Sequence, residues 1–282
     1  MILYHSAFVL KEEDKKQLRD RKISLLRSYH SSKNTDSPSY CKGLFLDSGA
    51  FSAFNSGAII DFDKYIDFLL ANGNKYTTYA SLDVIGNPKA TWRNQIKMEK
   101  AGLSPIPTFH INEPFAFFEQ YLERYNYIAL GGMVGVKKDI LQKWLDFCWQ
   151  LIKKYPGVRI HGFGMTDFVL MNKYPWYSID STTASRAGRT GVLLSPWGQL
   201  RVSSGIKTKS GATVYTPKKI ERLLNWMEEF IPGMVSDWES ISSPSKEASQ
   251  LRCIFNVLYL EFLVENSKQG KKTQQEVMGF FK

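Results

Sequence analysis

The chain has 282 residues, of which 43% are hydrophobic and 23% charged, and no run of eighteen apolar residues; this is the composition of a soluble globular protein and excludes a helical membrane protein. A formal charge of +10 suits a polyanionic partner, because each Lys or Arg that meets a phosphate releases counterions. Three cysteines far apart, Cys41, Cys148 and Cys253, exclude a disulfide framework and a CxxC metal knuckle, and the N-terminus lacks the cationic start, apolar centre and cleavage site of a signal peptide, so a cytoplasmic location is expected, the host's if the chain is phage-encoded.

In chain order, apolar runs of strand length fall at 2–10, 43–49, 76–83, 105–111, 127–132, 159–164, 177–182 and, as a last pair, around 192–203. Between and after them, helical periodicity covers 11–29, 61–72, 88–101, 113–124, 137–155, 166–173, 217–230 and 246–266. This alternation builds a parallel sheet with covering helices. About eight units in one chain of this size predict an α/β fold, a TIM-like (β/α)8 barrel, rather than an open doubly wound sheet, whose early Gly-rich dinucleotide turn is missing. One domain spanning 1–282 is expected, with a hairpin-like insertion late in the barrel (195–211) and a mobile tail at 266–282.

Polar residues cluster where the strands end. Asp47, Asp83, His110, Gly131 with Gly132, Gly162 with Gly164, and Asp180 lie at or just beyond the C-terminal ends of successive predicted strands, and in a barrel those ends converge on the active-site mouth. Taken singly, an aspartate after a strand is more often a turn former or cap, a histidine a satisfied core residue, and a glycine pair a tight turn. Their coincidence at equivalent ends points to a site.

These residues resemble a known family. DSGAFS (47–52), SLDV (81–84), IALGGMVG (128–135), HGFG (161–164) and DSTTASRAGRTG (180–191) are similar, in order, to the DSGGFQ, base-recognition aspartate, ALGGLAVG, MGVG-like and DCxxPTRxxRxG motifs of tRNA-guanine transglycosylases. The family's CxCxxC segment with a distant His is missing, so no metal and no zinc subdomain are expected, and no cofactor is implied. The absent zinc element and the small size resemble the compact phage and bacterial DpdA-type enzymes that insert 7-deazaguanines into DNA.

The resemblance implies replacement of guanine in DNA by a free 7-deazaguanine such as 7-cyano-7-deazaguanine, through a glycosyl-aspartate intermediate of the kind retaining glycosidases form. It makes Asp180 the nucleophile and Asp47 the acid and base that serves the leaving and entering purines, with Ser48 beside it. Asp83 becomes the acceptor for the guanine edge, the backbone of Gly132 and Met133 the donor, and His110 stands where the family has a glutamine; Phe51 and His161 match the residues that sandwich the purine, with Gly131 and Gly162 in the same motifs. Arg186 and Arg189 are expected to grip phosphates, and Arg201, Lys207 and Lys209 around Trp197 to extend that contact. Two other readings stay open: the same exchange on tRNA, and a nucleoside hydrolase or non-catalytic nucleic-acid-binding barrel. Oligomeric state and partner proteins are not legible.

Overall fold

Leu44, Phe45 and Leu46 are consecutive and all buried, as are Ile128, Ala129 and Leu130, and strands buried on both faces belong in parallel sheets covered by helices. The computed structural model, which describes residues 1–204 and 215–267, has this architecture. In chain order run β1 (Ile2–Ser6), β2 (Ile23–Ser28), β3 (Cys41–Asp47), α1 (Ala50–Ser56), α2 (Phe62–Asn72), β4 (Thr78–Tyr79), α3 (Pro88–Lys100), β5 (Thr108–His110), α4 (Phe115–Arg124), β6 (Tyr127–Gly131), α5 (Lys138–Ile152), β7 (Arg159–Gly162), α6 (Phe168–Lys173) and β8 (Ser178–Ser181).

The eight strands pair in parallel in the order β4-β3-β2-β1-β8-β7-β6-β5. The sheet curls until its two edges touch: Ala80 bridges Ile106, with Ser81 N–H donating to Ile106 O at 3.0 Å and Ile106 N–H to Tyr79 O at 2.9 Å. This is an α/β arrangement compatible with a (β/α)8 barrel. Tyr4, Phe45, Ala80, Ile106 and Ala129 pack together as a buried cluster, with Leu26, Tyr127 and Phe163 against it.

Helix starts follow sequence caps. Asp61, Asn87 and Asp167 each accept from the backbone N–H three residues on, at 3.0–3.1 Å, and Pro88 occupies the first turn after Asn87, where its missing N–H costs nothing. Two expected elements differ. The stretch 11–29, expected as a helix, is a 3₁₀ turn over Glu12–Leu18 followed by β2. Arg19 and Asp20 adopt left-handed φ values of 53° and 59°, which end helical winding, and Ile23, Ser24 and Leu25 are buried as strand residues, so sheet pairing overrides the helix propensity of a Lys-, Arg- and Leu-rich segment. The expected last strand pair supplies no strand to the parallel sheet: β9 (Val192–Ser195) and β10 (Gly198–Arg201) form their own two-stranded antiparallel sheet, after α7 (Thr183–Arg189).

The contacts divide the chain into two compact units, Met1–Ser6 with Ile23–Ser181, and Ala7–Lys22 with the residues from Thr182 onward. The second unit holds α7, β9, β10, α8 (Pro217–Phe230), α9 (Glu239–Ser242) and α10 (Lys246–Ser267). Asn256 of α10 staples the hairpin, accepting from Leu194 N–H at 2.8 Å and donating to Val192 O at 3.0 Å. Fully buried Arg252 donates to the carbonyls of Gly188, Ile241 and Ser243 at 2.6–2.9 Å, placing a cation at the C-terminal ends of α7 and α9. Among the described residues no helix is long and apolar enough to cross a membrane.

Helices α7 and α10 approach so closely that a Cβ on Gly188 would lie 2.5 Å from the backbone nitrogen of Cys253 and 2.6 Å from its Sγ. Gly188→Ala is therefore expected to destabilise the protein by about 2 kcal/mol in thermal or urea unfolding: alanine's gain of about 1 kcal/mol in helix propensity is outweighed by the overpacking. Adding Cys253→Ala should not rescue it, because the closest clash is with backbone.

Candidate active site

All eight strands of the first unit run the same way, so their C-terminal ends form one rim. Asp47 is the last residue of β3, His110 of β5, Gly131 of β6 and Gly162 of β7. Asp83 lies four residues past β4, and Asp180 is the third of four residues in β8.

Asp180, 7% exposed, is held from both of its oxygens. Oδ2 accepts from Ser6 Oγ at 2.7 Å, offered by the adjacent strand β1, and Oδ1 accepts from Gly164 N–H at 2.8 Å. Two short donors on different oxygens fix the plane of the carboxylate. The Nε2 of His161 lies 3.6 Å from Oδ1.

Asp47 has the opposite character. Burial, then the negative charges of Asp83 and Asp180, push its carboxyl up to about 8, against the pull of the Gly49 and Ser48 N–H groups. The charges of Asp83 and Asp180 thus act on Asp47 and favour its protonated form. Asp83 accepts from buried Ser48 Oγ at 3.1 Å through Oδ1, and its Oδ2 lies 2.9 Å from Nε2 of His110. The second ring nitrogen of His110 lies 3.2 Å from Glu113 Oε1, and its backbone N–H donates to Glu113 Oε2 at 3.0 Å. Burial alone would lower the imidazole, but the hydrogen bonds and charges of Asp83 and Glu113 outweigh it and raise the group to about 10.

Gly131 is required by close approach: a Cβ there would lie 2.8 Å from His110 Cδ2 and 3.0 Å from Thr108 Cγ2. Because the imidazole is pinned by two carboxylates, it cannot yield cheaply. Gly131→Ala is expected to cost about 1–3 kcal/mol in thermal unfolding, because the added Cβ must displace His110 or Thr108.

The remaining expected residues divide. Phe51 sits on α1 and is 50% exposed, so its ring is available for stacking. Gly132 takes a left-handed φ of 72°, while the Met133 side chain is buried. His161, expected to sandwich a purine, has no exposed surface. Its ring packs at 4.7 Å from Phe45 and edge-on at 4.5 Å from Phe163, so core aromatics occupy the space a base would need. Burial lowers its proton affinity despite Asp180, and Nδ1 lies 2.8 Å from Ser178 Oγ, itself 2.7 Å from the Tyr127 hydroxyl. Likewise His110, expected at a base-reading position, has both ring nitrogens engaged by carboxylates.

Arg186 and Arg189 are exposed on α7 of the second unit, where Arg189 donates to Ala7 O at 3.1 Å; Arg201 of β10 donates to Thr190 O at 2.9 Å. Lys207 and Lys209 lie outside the described residues. Two residues not singled out in the sequence hold the candidate site directly: Ser6 on Asp180 and Glu113 on His110. Ser6 ends β1, an end hidden in the sequence because the apolar run continues to residue 10, and Glu113 has the i+3 spacing from His110. Among the described residues no group of three or more His, Cys, Asp or Glu side chains is arranged to hold a metal ion.

No family model matches the chain, and no curated protein matches it in sequence.

Proposed function

We propose that this chain is a guanine-exchanging transglycosylase that replaces guanine in DNA with a 7-deazaguanine on a (β/α)8 barrel without a zinc subdomain. The observation that carries the reading is that Asp47, Asp83 and Asp180 stand at or just past the C-terminal ends of parallel strands, with Asp180 held through both oxygens and the charges of Asp83 and Asp180 raising Asp47. Groups whose protonation is pushed apart in this way suit an acid and a nucleophile working on one bond.

In the forward half, Asp180 Oδ attacks C1′, the C1′–N9 pair leaves with guanine, and Asp47 delivers its proton to the departing base. The sugar is then an ester of Asp180. In the second half the incoming 7-deazaguanine gives its N9 proton to Asp47 and attacks C1′, and the Asp180 carboxylate is released, so charge and protons balance over the cycle. The target nucleotide must leave its stack to reach such a site, and half-exposed Phe51 offers a stacking face for it. Arg186 and Arg189, exposed on α7 of the second unit, and the +10 charge suit contact with phosphates.

The test is incubation with duplex DNA, single-stranded DNA or tRNA and labelled 7-cyano-7-deazaguanine, followed by digestion and mass spectrometry of nucleosides. Label in deoxynucleosides is expected. Label confined to tRNA moves the substrate to RNA, and free guanine without insertion replaces exchange by hydrolysis.

A further inference from the structure

We propose that Glu113 and His110 are a positioning pair that fixes the Asp83 carboxyl group, with His110 donating to it, and thereby sets which base edge the site accepts. The base-edge part rests on the exchange reading above; the pair itself rests on geometry.

His110, Glu113 and Asp83 are nearly enclosed, with side chains 9%, 5% and 11% exposed. A neutral imidazole has one donor nitrogen and one acceptor nitrogen. Here both nitrogens face carboxylate oxygens, Nε2 at 2.9 Å and Nδ1 at 3.2 Å. The other two carboxylate oxygens also meet donors, Asp83 Oδ1 the Ser48 hydroxyl and Glu113 Oε2 the His110 backbone N–H. Donation from both ring nitrogens, an imidazolium between the two carboxyl groups, satisfies every one of these contacts.

The charged and titratable neighbours agree. Asp83 follows β4, Glu113 follows β5, and Tyr121 comes from α4, its phenol kept neutral by burial and then by the charges of Glu113 and Asp83. Asp47, on β3, faces the set through the charge of Asp83, which together with burial raises its carboxyl. The ring is packed by Gly131, where any side chain would collide with it. The cation thus offsets charge at Asp83 and leaves Asp47 as the group that cycles.

An ionised carboxylate offers lone pairs alone. It matches the adjacent N1–H and amino donors of guanine and of 7-deazaguanines, and it repels the N1 lone pair of adenine. Glu113 touches no substrate in this scheme and acts by keeping His110 charged.

The test uses the full chain with ¹⁵N-labelled histidine. Ring-nitrogen spectra from about pH 5.5 to about pH 8.5, with His110 identified by its loss in H110Q, are expected to show both nitrogens protonated throughout, whereas an ordinary histidine titrates near 6.5. In E113Q the same ring is expected to lose a proton within that range. Guanine binding by calorimetry should weaken about tenfold or more in E113Q, with partial recovery in E113D, which keeps the charge. A His110 ring that titrates in the wild type, or that behaves identically in E113Q, overturns the proposal; the wild-type titration decides even if E113Q does not fold. The spectra need no substrate, so the predicted spectra without guanine binding would remove the exchange reading and leave the pair standing.

Discussion

Asp180→Asn is expected to reduce base exchange by about 10,000-fold or more while leaving the thermal unfolding midpoint nearly unchanged. Asparagine keeps the shape of the carboxylate and can still accept from the Gly164 N–H through its oxygen, while its amide group donates to the Ser6 hydroxyl. What it loses is the proposed nucleophile, and removing a covalent route costs roughly 10⁴–10⁶ in rate. Single-turnover incorporation of labelled base, measured beside a melting curve, separates lost chemistry from lost fold. Undiminished incorporation in this variant removes Asp180 from the mechanism.

Asp47→Asn is expected to move activity and stability in opposite directions. Exchange should fall about 100- to 10,000-fold, the usual contribution of a positioned acid and base. Stability should rise, and by more in alkaline than in acid solution. The folded carboxyl is raised from 3.8 to about 8, so between those values the folded chain keeps a proton that the unfolded chain has released. Stability contributed by this group is therefore complete below about 4 and is lost as pH rises through about 8. Each unit corresponds to about 1.4 kcal/mol, so the carboxylate costs a few kcal/mol at high pH that asparagine does not. Burial opposes a raised His110, but its two carboxylates win, and the stability it contributes is complete below 6.5 and lost through about 10. Wild-type unfolding measured from about pH 5 to about pH 9 should thus show falling stability, with the D47N curve flatter. Under the proposed mechanism the wild-type exchange rate should fall on the alkaline side near pH 8, as Asp47 loses the proton assigned to the leaving base.

Much of the rim was legible because it is a local signal. A polar residue at the end of a buried apolar run marks a strand's C-terminal end, and Asp47, His110 and Asp180 stand where that rule puts them. Helix termini were legible for the same reason, through the caps at Asp61, Asn87 and Asp167. β2 was not, because its Leu- and Arg-containing run carries helix propensity and becomes a strand through pairing with β1 and β3, partners far apart in sequence. Ser6 and Glu113 were missed because they matter through contacts, with Asp180 across 174 positions in one case and with both sides of one imidazole in the other. His161 was read as a stacking face, but its position in β7 places its ring among Phe45 and Phe163, fully buried, with Nε2 3.6 Å from Asp180 Oδ1.

The central claim is a covalent bond between Asp180 and the sugar. It is tested by mixing the protein with a guanine-containing oligodeoxynucleotide, quenching in acid, and mapping the proteolysed chain by mass spectrometry. The account predicts a nucleotide adduct on the peptide containing Asp180, absent in Asp180→Asn and discharged when free 7-deazaguanine is added before the quench. Exchange that proceeds with the adduct on another residue, or with none at Asp180, contradicts it.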